Sequence, residues 1–188
     1  AARHSPDNPL VYAIRNGTPP ETAPDAPPPP PRRSMLTLTA IIPNYNHARF
    51  LAERLDSLLA QTEPPDEILF LDDASSDDSL AIAHSYAARA PMPFRIVPSL
   101  TNSGSPFGQW AKGIALATSD LVWMAESDDR CAPTLAATLK AAFADPAVTL
   151  AYAQSRPIAA DGRPLAIDYR DYTDDLSLTR WTAPYVAE

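Results

Sequence analysis

A single cysteine, Cys131, stands among the 188 residues. That excludes an internal disulfide framework and suits a reducing compartment. Three histidines, at positions 4, 47 and 84, are scattered, and with one thiol they give a zinc site poor support. Only 5 glycines occur; Gly104, Gly108 and Gly113 do not fall into a GxGxxG pattern, and no GxxxxGKS or GxxxxGKT is present. A dinucleotide-binding dehydrogenase and a P-loop enzyme are therefore unsupported. Basic residues are scarce as well: 15 Lys and Arg face 23 Asp and Glu, a formal charge of −8. This argues against nucleic acid as a partner, because affinity for a duplex comes from neutralising phosphates, and against unaided binding to anionic lipid. No apolar run approaches the ~20 residues of a transmembrane segment. The opening AARHSPDNPL has no apolar signal-peptide core, and its lack of an initiator Met reads as an excised piece of a longer polypeptide.

Proline is abundant instead. Ten of the 22 lie before residue 32, eight of them within Pro19–Pro31. Such a stretch lacks the backbone donors for helix or sheet and favours extended polyproline II. Residues 1–34 are therefore expected to be a mostly irregular, Pro-rich linker, a reading better supported than a ligand for an SH3-type domain. A linker implies neighbouring domains of the same polypeptide.

From residue 35 to 154 the pattern is that of a folded core. Apolar, β-branched runs predict strands at 36–43, 67–71, 94–97, 121–125 and 148–153. Between them, helices are expected at 47–61, 77–90, 108–118 and 133–144. Asn46 is placed to cap the first of these, whose Leu51, Leu55, Leu58 and Leu59 recur at helical spacing. Strands alternating with helices predict an α/β fold: a three-layer α/β/α sandwich around a mainly parallel sheet. Beyond Gln154 the pattern decays; Asp161-Gly162 reads as a turn, and 155–188 as an acceptor-side region or C-terminal extension.

Eleven of the 23 acids form three clusters: Asp72, Asp73, Asp77 and Asp78; Glu126, Asp128 and Asp129; Asp168, Asp171, Asp174 and Asp175. The first two follow apolar strands directly, where ligands of open α/β sheets bind. Asp77, Asp78 and Ser79 fit a solvated turn and helix start. Asp73 differs, since an acid leaving a buried strand needs a partner. Two acidic loops at one sheet end repel unless a cation or a donor-rich ligand lies between them. Oxygen ligands of this kind suit Mg²⁺ or Mn²⁺, which take one or two carboxylates together with ligand phosphates.

Five ordered motifs then point to a known family. Ile41-Ile42-Pro43-Asn44-Tyr45-Asn46 resembles its opening IIPxYN strand, and Leu58-Leu59-Ala60-Gln61-Thr62 its SxLxQT helix end. Leu71-Asp72-Asp73-Ala74-Ser75-Ser76-Asp77 is similar to the VDDGSTD loop, and Asn102-Ser103-Gly104 with Lys112–Ala117 to the following NxG and NxGI segments. Ala125-Glu126-Ser127-Asp128-Asp129 takes the place of the DxDD metal motif, with Glu for the first Asp. Residues 37–153 thus resemble the nucleotide-binding portion of an inverting family 2 glycosyltransferase of GT-A fold.

The resemblance implies transfer of a sugar, with inversion and a divalent metal, from a UDP- or TDP-type nucleoside-diphosphate sugar donor. The acceptor would be a glycan, lipid-linked or protein hydroxyl, in cytoplasmic polysaccharide biosynthesis or protein decoration. It implies that Pro43, Asn44 and Tyr45 line base and ribose, with Tyr45 stacking, and that Asp73 accepts the base imide. Asn102 and Lys112 would sit near pyrophosphate or sugar, Asp128 near ribose and metal, and Glu126, Asp128 and Asp129 at the metal. The catalytic base would be an acceptor-side carboxylate; Asp171 and Asp174 are candidates that no spacing singles out. Ser177–Trp181 faintly echoes QxxRW, without the Gln.

Three other readings stay open. A nucleotide-sugar-binding module would bind without turnover, and a nucleotidyltransferase would release pyrophosphate. A receiver-like phospho-acceptor domain would need a Lys on the last strand, which Val148–Ala153 lacks.

Overall fold

The computed structural model of the chain describes residues 10–15, 36–155, 157–163 and 165. Strands β2 (Leu38–Asn44), β3 (Glu67–Asp72), β4 (Phe94–Pro98) and β5 (Leu121–Met124) form where the apolar runs predict them. β2 pairs in parallel with β3 on one side and β5 on the other, and β4 joins β3 in parallel. Every residue of β2, β3 and β5 is buried, as expected of central parallel strands covered on both faces.

Side chains along these strands alternate between two apolar layers. Ala40, Ile42, Ile68 and Phe70 pack with Leu51, Leu55 and Leu58 of α1 (Ala48–Leu59), Tyr86 of α2 (Ser79–Ala87) and Leu139 of α4 (Leu135–Ala142). Ile41, Leu69, Leu71, Val122 and Met124 face the other way, onto Trp110 and Leu116 of α3 (Pro106–Leu116). The expected α/β/α layering with a mainly parallel sheet is what forms. α3 begins two residues earlier than expected, because Pro106, with φ preset by its ring, occupies the first turn after an extended Ser105.

Two strands extend the sheet, in the order β4-β3-β2-β5-β1-β6, with β1 at Leu10–Arg15 and β6 at Leu150–Gln154. β1 runs antiparallel to β5, Tyr12 opposite Met124 and Arg15 opposite Leu121. This strand falls within residues 1–34, expected to be a mostly irregular linker. LVYAIR is a six-residue β-prone run between Pro9 and Asn16-Gly17, and the proline density behind it masked that local preference. The remainder of 1–34 lies outside the described residues, as do Asp168, Asp171, Asp174, Asp175 and 177–181.

Val11–Ala153 is one compact unit, and the described residues from Gln154 onward belong to another. In that second unit the expected turn at Asp161-Gly162 is present, with Gly162 at φ 82° and the Ala159 N–H donating to Arg163 O at 2.8 Å. Among the described residues no helix is long and apolar enough to cross a membrane.

Gly113 sets how close α3 lies to the sheet. A Cβ there would overlap the Ile41 side chain and press on Leu71 Cδ1 at 3.1 Å. Both partners are fully buried, and Ile41 is β-branched and stiff. Overpacking of this kind costs about 1–3 kcal/mol, more than the ~1 kcal/mol of helix propensity that alanine gains. Gly113→Ala is thus expected to lower the urea midpoint of unfolding with an unchanged m-value; an equal or higher midpoint would show that α3 has room to spare.

Candidate active site

Parallel pairing places the C-terminal ends of β2, β3 and β5 side by side. Asn44 lies opposite Asp72, the Asp73 N–H donates to Asn44 O at 2.8 Å, and the Ala125 N–H to Ile41 O at 2.8 Å. The loops leaving β2 and β3 are fastened together. Asn44 Nδ2 donates to Asp72 Oδ1 (3.2 Å) and Ser75 Oγ (3.0 Å), and the Asn46 N–H also donates to Ser75 Oγ (3.0 Å). Ser76 N–H donates to Asn46 Oδ1 at 2.8 Å. Asn46 (φ 56°) and Ala74 (φ 63°) both occupy the left-handed region, which costs an alanine roughly 1–2 kcal/mol. Asn46 therefore does not cap α1 as expected; Asp77 Oδ2 takes the Ala48 N–H instead, at 2.8 Å.

Asp73 is 4% exposed and fully engaged. The Ser103 N–H is shared between its two oxygens at 3.0 Å each, Ser103 Oγ donates to Oδ2 at 2.7 Å, and Gln109 Nε2 to Oδ1 at 2.6 Å. These bonds carry the loop after β4 over the end of β3. Asn102 shapes that loop, donating to Asp73 O (3.2 Å) and accepting the N–H of Gly104, whose φ is 68° (2.7 Å).

Across β2, Glu126 follows β5. Its Oε1 accepts Trp110 Nε1–H at 2.7 Å, and Phe107 stacks edge-on against that indole with centroids 5.2 Å apart. Burial pushes the Glu126 carboxyl up to about 7; the indole hydrogen bond opposes this, while the charges of Asp128 and Asp129 push it the same way. Next to it, buried Ser127 meets His47 Nδ1 through its Oγ at 2.8 Å, tying β5 to the start of α1.

Asp73, Asn102, Gln109, Glu126, Ser127 and His47 line a cleft of about 360 Å³, within the ~300–1,000 Å³ range of small-molecule sites, with Ser103 and Trp110 bonded to the acids behind its wall. Of the sequence-predicted residues it gathers Pro43, Asn44, Tyr45, Asp73, Asn102 and Glu126. Tyr45 is 47% exposed there, an aromatic face open to a ligand. Lys112, Asp128 and Asp129 are not among the lining residues. Lys112 Nζ donates to Ser99 Oγ at 3.0 Å: two positions past Trp110, the helical turn carries it to another side of α3. Asp171 and Asp174 lie outside the described residues.

The site also holds residues that sequence reasoning passed over: His47, Ser103, Gln109, Trp110 and Ser127. A Gln beside a Trp at a helix start carries no period or motif of its own, and the signal appears only when the two acids they reach are in place.

A divalent ion is compatible with the donor set, since the charges of Asp128 and Asp129 raise the cost of ionising Glu126 and all three offer hard oxygen ligands. Among the described residues no three His, Cys, Asp or Glu side chains converge on one point. A cation here would therefore take one or two carboxylates and complete its shell on a ligand.

Comparison with known proteins places this geometry. Residues 39–182 match the family model for glycosyl transferase family 2, and the chain belongs to that family. It is 34% identical over 94 residues to an uncharacterised glycosyltransferase of Nostoc sp., covering 50% of this chain and 29% of the relative. A crystal structure of Staphylococcus aureus TarS in complex with UDP superposes with a TM-score of 0.52 at 28% identity, over 58% of this chain and 32% of that one. The mannosyltransferase PcManGT of Pyrobaculum calidifontis, in complex with GDP-Man and Mn²⁺, gives 0.57 at 26% identity, over 62% and 34%. The fold is thus of the GT-A type, and the chain spans about a third of the length of these relatives.

The raised Glu126 proton affinity has a stability consequence in metal-free protein. The unfolded chain ionises this group above about 4.5, the folded chain only near 7, so ionisation erodes stability as pH rises between those values. The loss reaches at most about 3 kcal/mol. Glu126→Gln keeps an acceptor for the indole and removes the titration. Its stability relative to wild type, from urea midpoints, is expected to rise between pH 4.5 and 7.5; parallel pH profiles would contradict the assignment.

Proposed function

We propose that the cleft binds a nucleoside-diphosphate sugar of UDP or TDP type and that the protein containing this domain transfers the sugar to an acceptor hydroxyl with inversion. The observation that carries this reading is the cleft itself, bounded by Asp73 and Glu126 at the ends of the two strands that flank β2, with the exposed ring of Tyr45 beside them. UDP in TarS supports the uridine type, and GDP-Man with Mn²⁺ in PcManGT supports a nucleoside-diphosphate sugar with a divalent ion.

Tyr45 stacks on the base, with Pro43 and Asn44 shaping the floor under base and ribose. The base imide donates to Asp73; because the chain already supplies donors to both its oxygens, the imide shares this carboxylate with Ser103 and Gln109. Asn102 and the loop it shapes border the pyrophosphate or sugar. Asp128 and Asp129, with Glu126, would hold Mn²⁺ or Mg²⁺, and Glu126 also faces the donor hydroxyls. When bound, the ion supplies Lewis-acid stabilisation of the diphosphate leaving group. The acceptor hydroxyl attacks the anomeric carbon on the side opposite the diphosphate, losing its proton to a carboxylate for which Asp171 and Asp174 are the candidates. Acceptor glycan, lipid-linked or protein, a cytoplasmic location and adjoining domains belong to the same proposal.

Calorimetric titration of the chain with UDP is expected to show binding that strengthens at least tenfold with Mn²⁺, and Asp128→Ala is expected to abolish that gain. Metal-independent binding unaffected by Asp128→Ala would contradict the metal assignment, and no UDP or TDP binding would contradict the donor. Release of free sugar or transfer by the bound chain separates a catalytic domain from a module that only binds.

A further inference from the structure

Two consecutive residues of α3 reach the two acids that bound the cleft. Gln109 Nε2 donates to Asp73 Oδ1 at 2.6 Å, and Trp110 Nε1 to Glu126 Oε1 at 2.7 Å. The acids follow β3 and β5, the strands on either side of β2, so the pair spans the sheet at the level of the cleft. Both bonds are at the short, charge-assisted end of N–H···O distances. Gln109 is 5% exposed, and its Oε1 is buried with no hydrogen-bond partner. An apolar residue of similar size would avoid that unpaired oxygen, so core packing alone does not account for an amide there. Trp110 is steadied in turn by the edge-on ring of Phe107. The helix is seated by Gly113 against Ile41 and Leu71, which fixes the height from which both side chains reach. Among the described residues Glu126 Oε2 accepts no hydrogen bond, so the indole takes one oxygen and leaves the other for a ligand.

We propose that Gln109 and Trp110 are positioning residues that hold Asp73 and Glu126 at preset places flanking β2, so that a nucleoside-diphosphate donor meets two fixed acceptors. This rests on the donor reading above and adds the means by which the acceptors are spaced. The extra methylene that distinguishes Glu126 from an aspartate is used to reach the indole of α3. Preset groups need no ordering when the ligand arrives, so loss of the clamp weakens binding although neither residue's role requires direct contact with the donor.

A double-mutant cycle on the full chain tests it, with UDP and Mn²⁺ as the probe. Trp110→Phe keeps an aromatic ring against Phe107 and removes the N–H donor together with part of the indole's packing volume, a loss common to both backgrounds that the cycle cancels. It is expected to weaken UDP about tenfold in the wild-type background and less than twofold in Glu126→Ala, because a group that acts through Glu126 has nothing left to position. Equal weakening in both backgrounds, or none in either, overturns the proposal. An arm without UDP keeps this separate from the donor reading: the Trp110 indole N–H resonance, identified by its loss in Trp110→Phe, is expected well downfield and shifted by Glu126→Ala. If wild type ignores UDP, the donor reading falls. A moved resonance then still supports the clamp, and an unmoved one overturns it.

Discussion

The parallel register of β2 with β3 and β5 is the constraint on which the rest of the site depends. Because Asn44 pairs with Asp72, β2 and β3 end at one level, whereas β5 ends at Met124 opposite Ile41; Asp73 follows β3 directly and Glu126 follows β5 after Ala125, so an acid stands on either side of β2. Full burial of these strands gives the register its strength, since a slip by one residue would exchange the two apolar layers. Site geometry is thus a by-product of core packing: Ile41 and Leu71, which seat α3 through Gly113, lie within three residues of Asn44 and Asp73.

Placing carboxylates together at a half-desolvated strand end is costly, and the chain offsets that cost unequally. Asp73 receives three donor groups and stays anchored, whereas Glu126 receives one and holds its proton to about 7. The unbalanced side is the one next to Asp128 and Asp129. An arriving cation or hydroxyl-rich ligand therefore gains most there, while the Asp73 side serves as a fixed wall. The left-handed Asn46 and Ala74 are held in the same way: the Asn46 N–H donates to Ser75 Oγ, the Ser75 N–H to Asp72 Oδ2 and the Ser76 N–H to Asn46 Oδ1, which fastens the loop against its own backbone preference.

Most of the core was legible because each strand is a short apolar run and each helix carries its own spacing; α1, with leucines at 51, 55 and 58 all buried, is the plainest case. β1 was not legible, since LVYAIR is brief and lies within a proline-rich context. The acids at Asp73 and Glu126 could be read from their position after strands. Their partners could not. Gln109, Trp110 and Ser103 acquire meaning only through contacts 16 to 36 residues away, and His47 through one 80 residues away. Lys112 is the reverse case: a motif singles it out along the chain, while its Nζ bonds Ser99 Oγ and it is not among the residues lining the cleft.

The central claim is that Asp73 and Glu126 bound one donor pocket, and a crystal structure of the chain grown with UDP and Mn²⁺ tests it most directly. The account predicts the uracil ring on Tyr45 with its imide at Asp73, and the diphosphate lying toward Glu126 with the ion on the carboxylates of the same loop. Nucleotide density elsewhere on the surface, or in this cleft with the base turned away from Asp73, would contradict it.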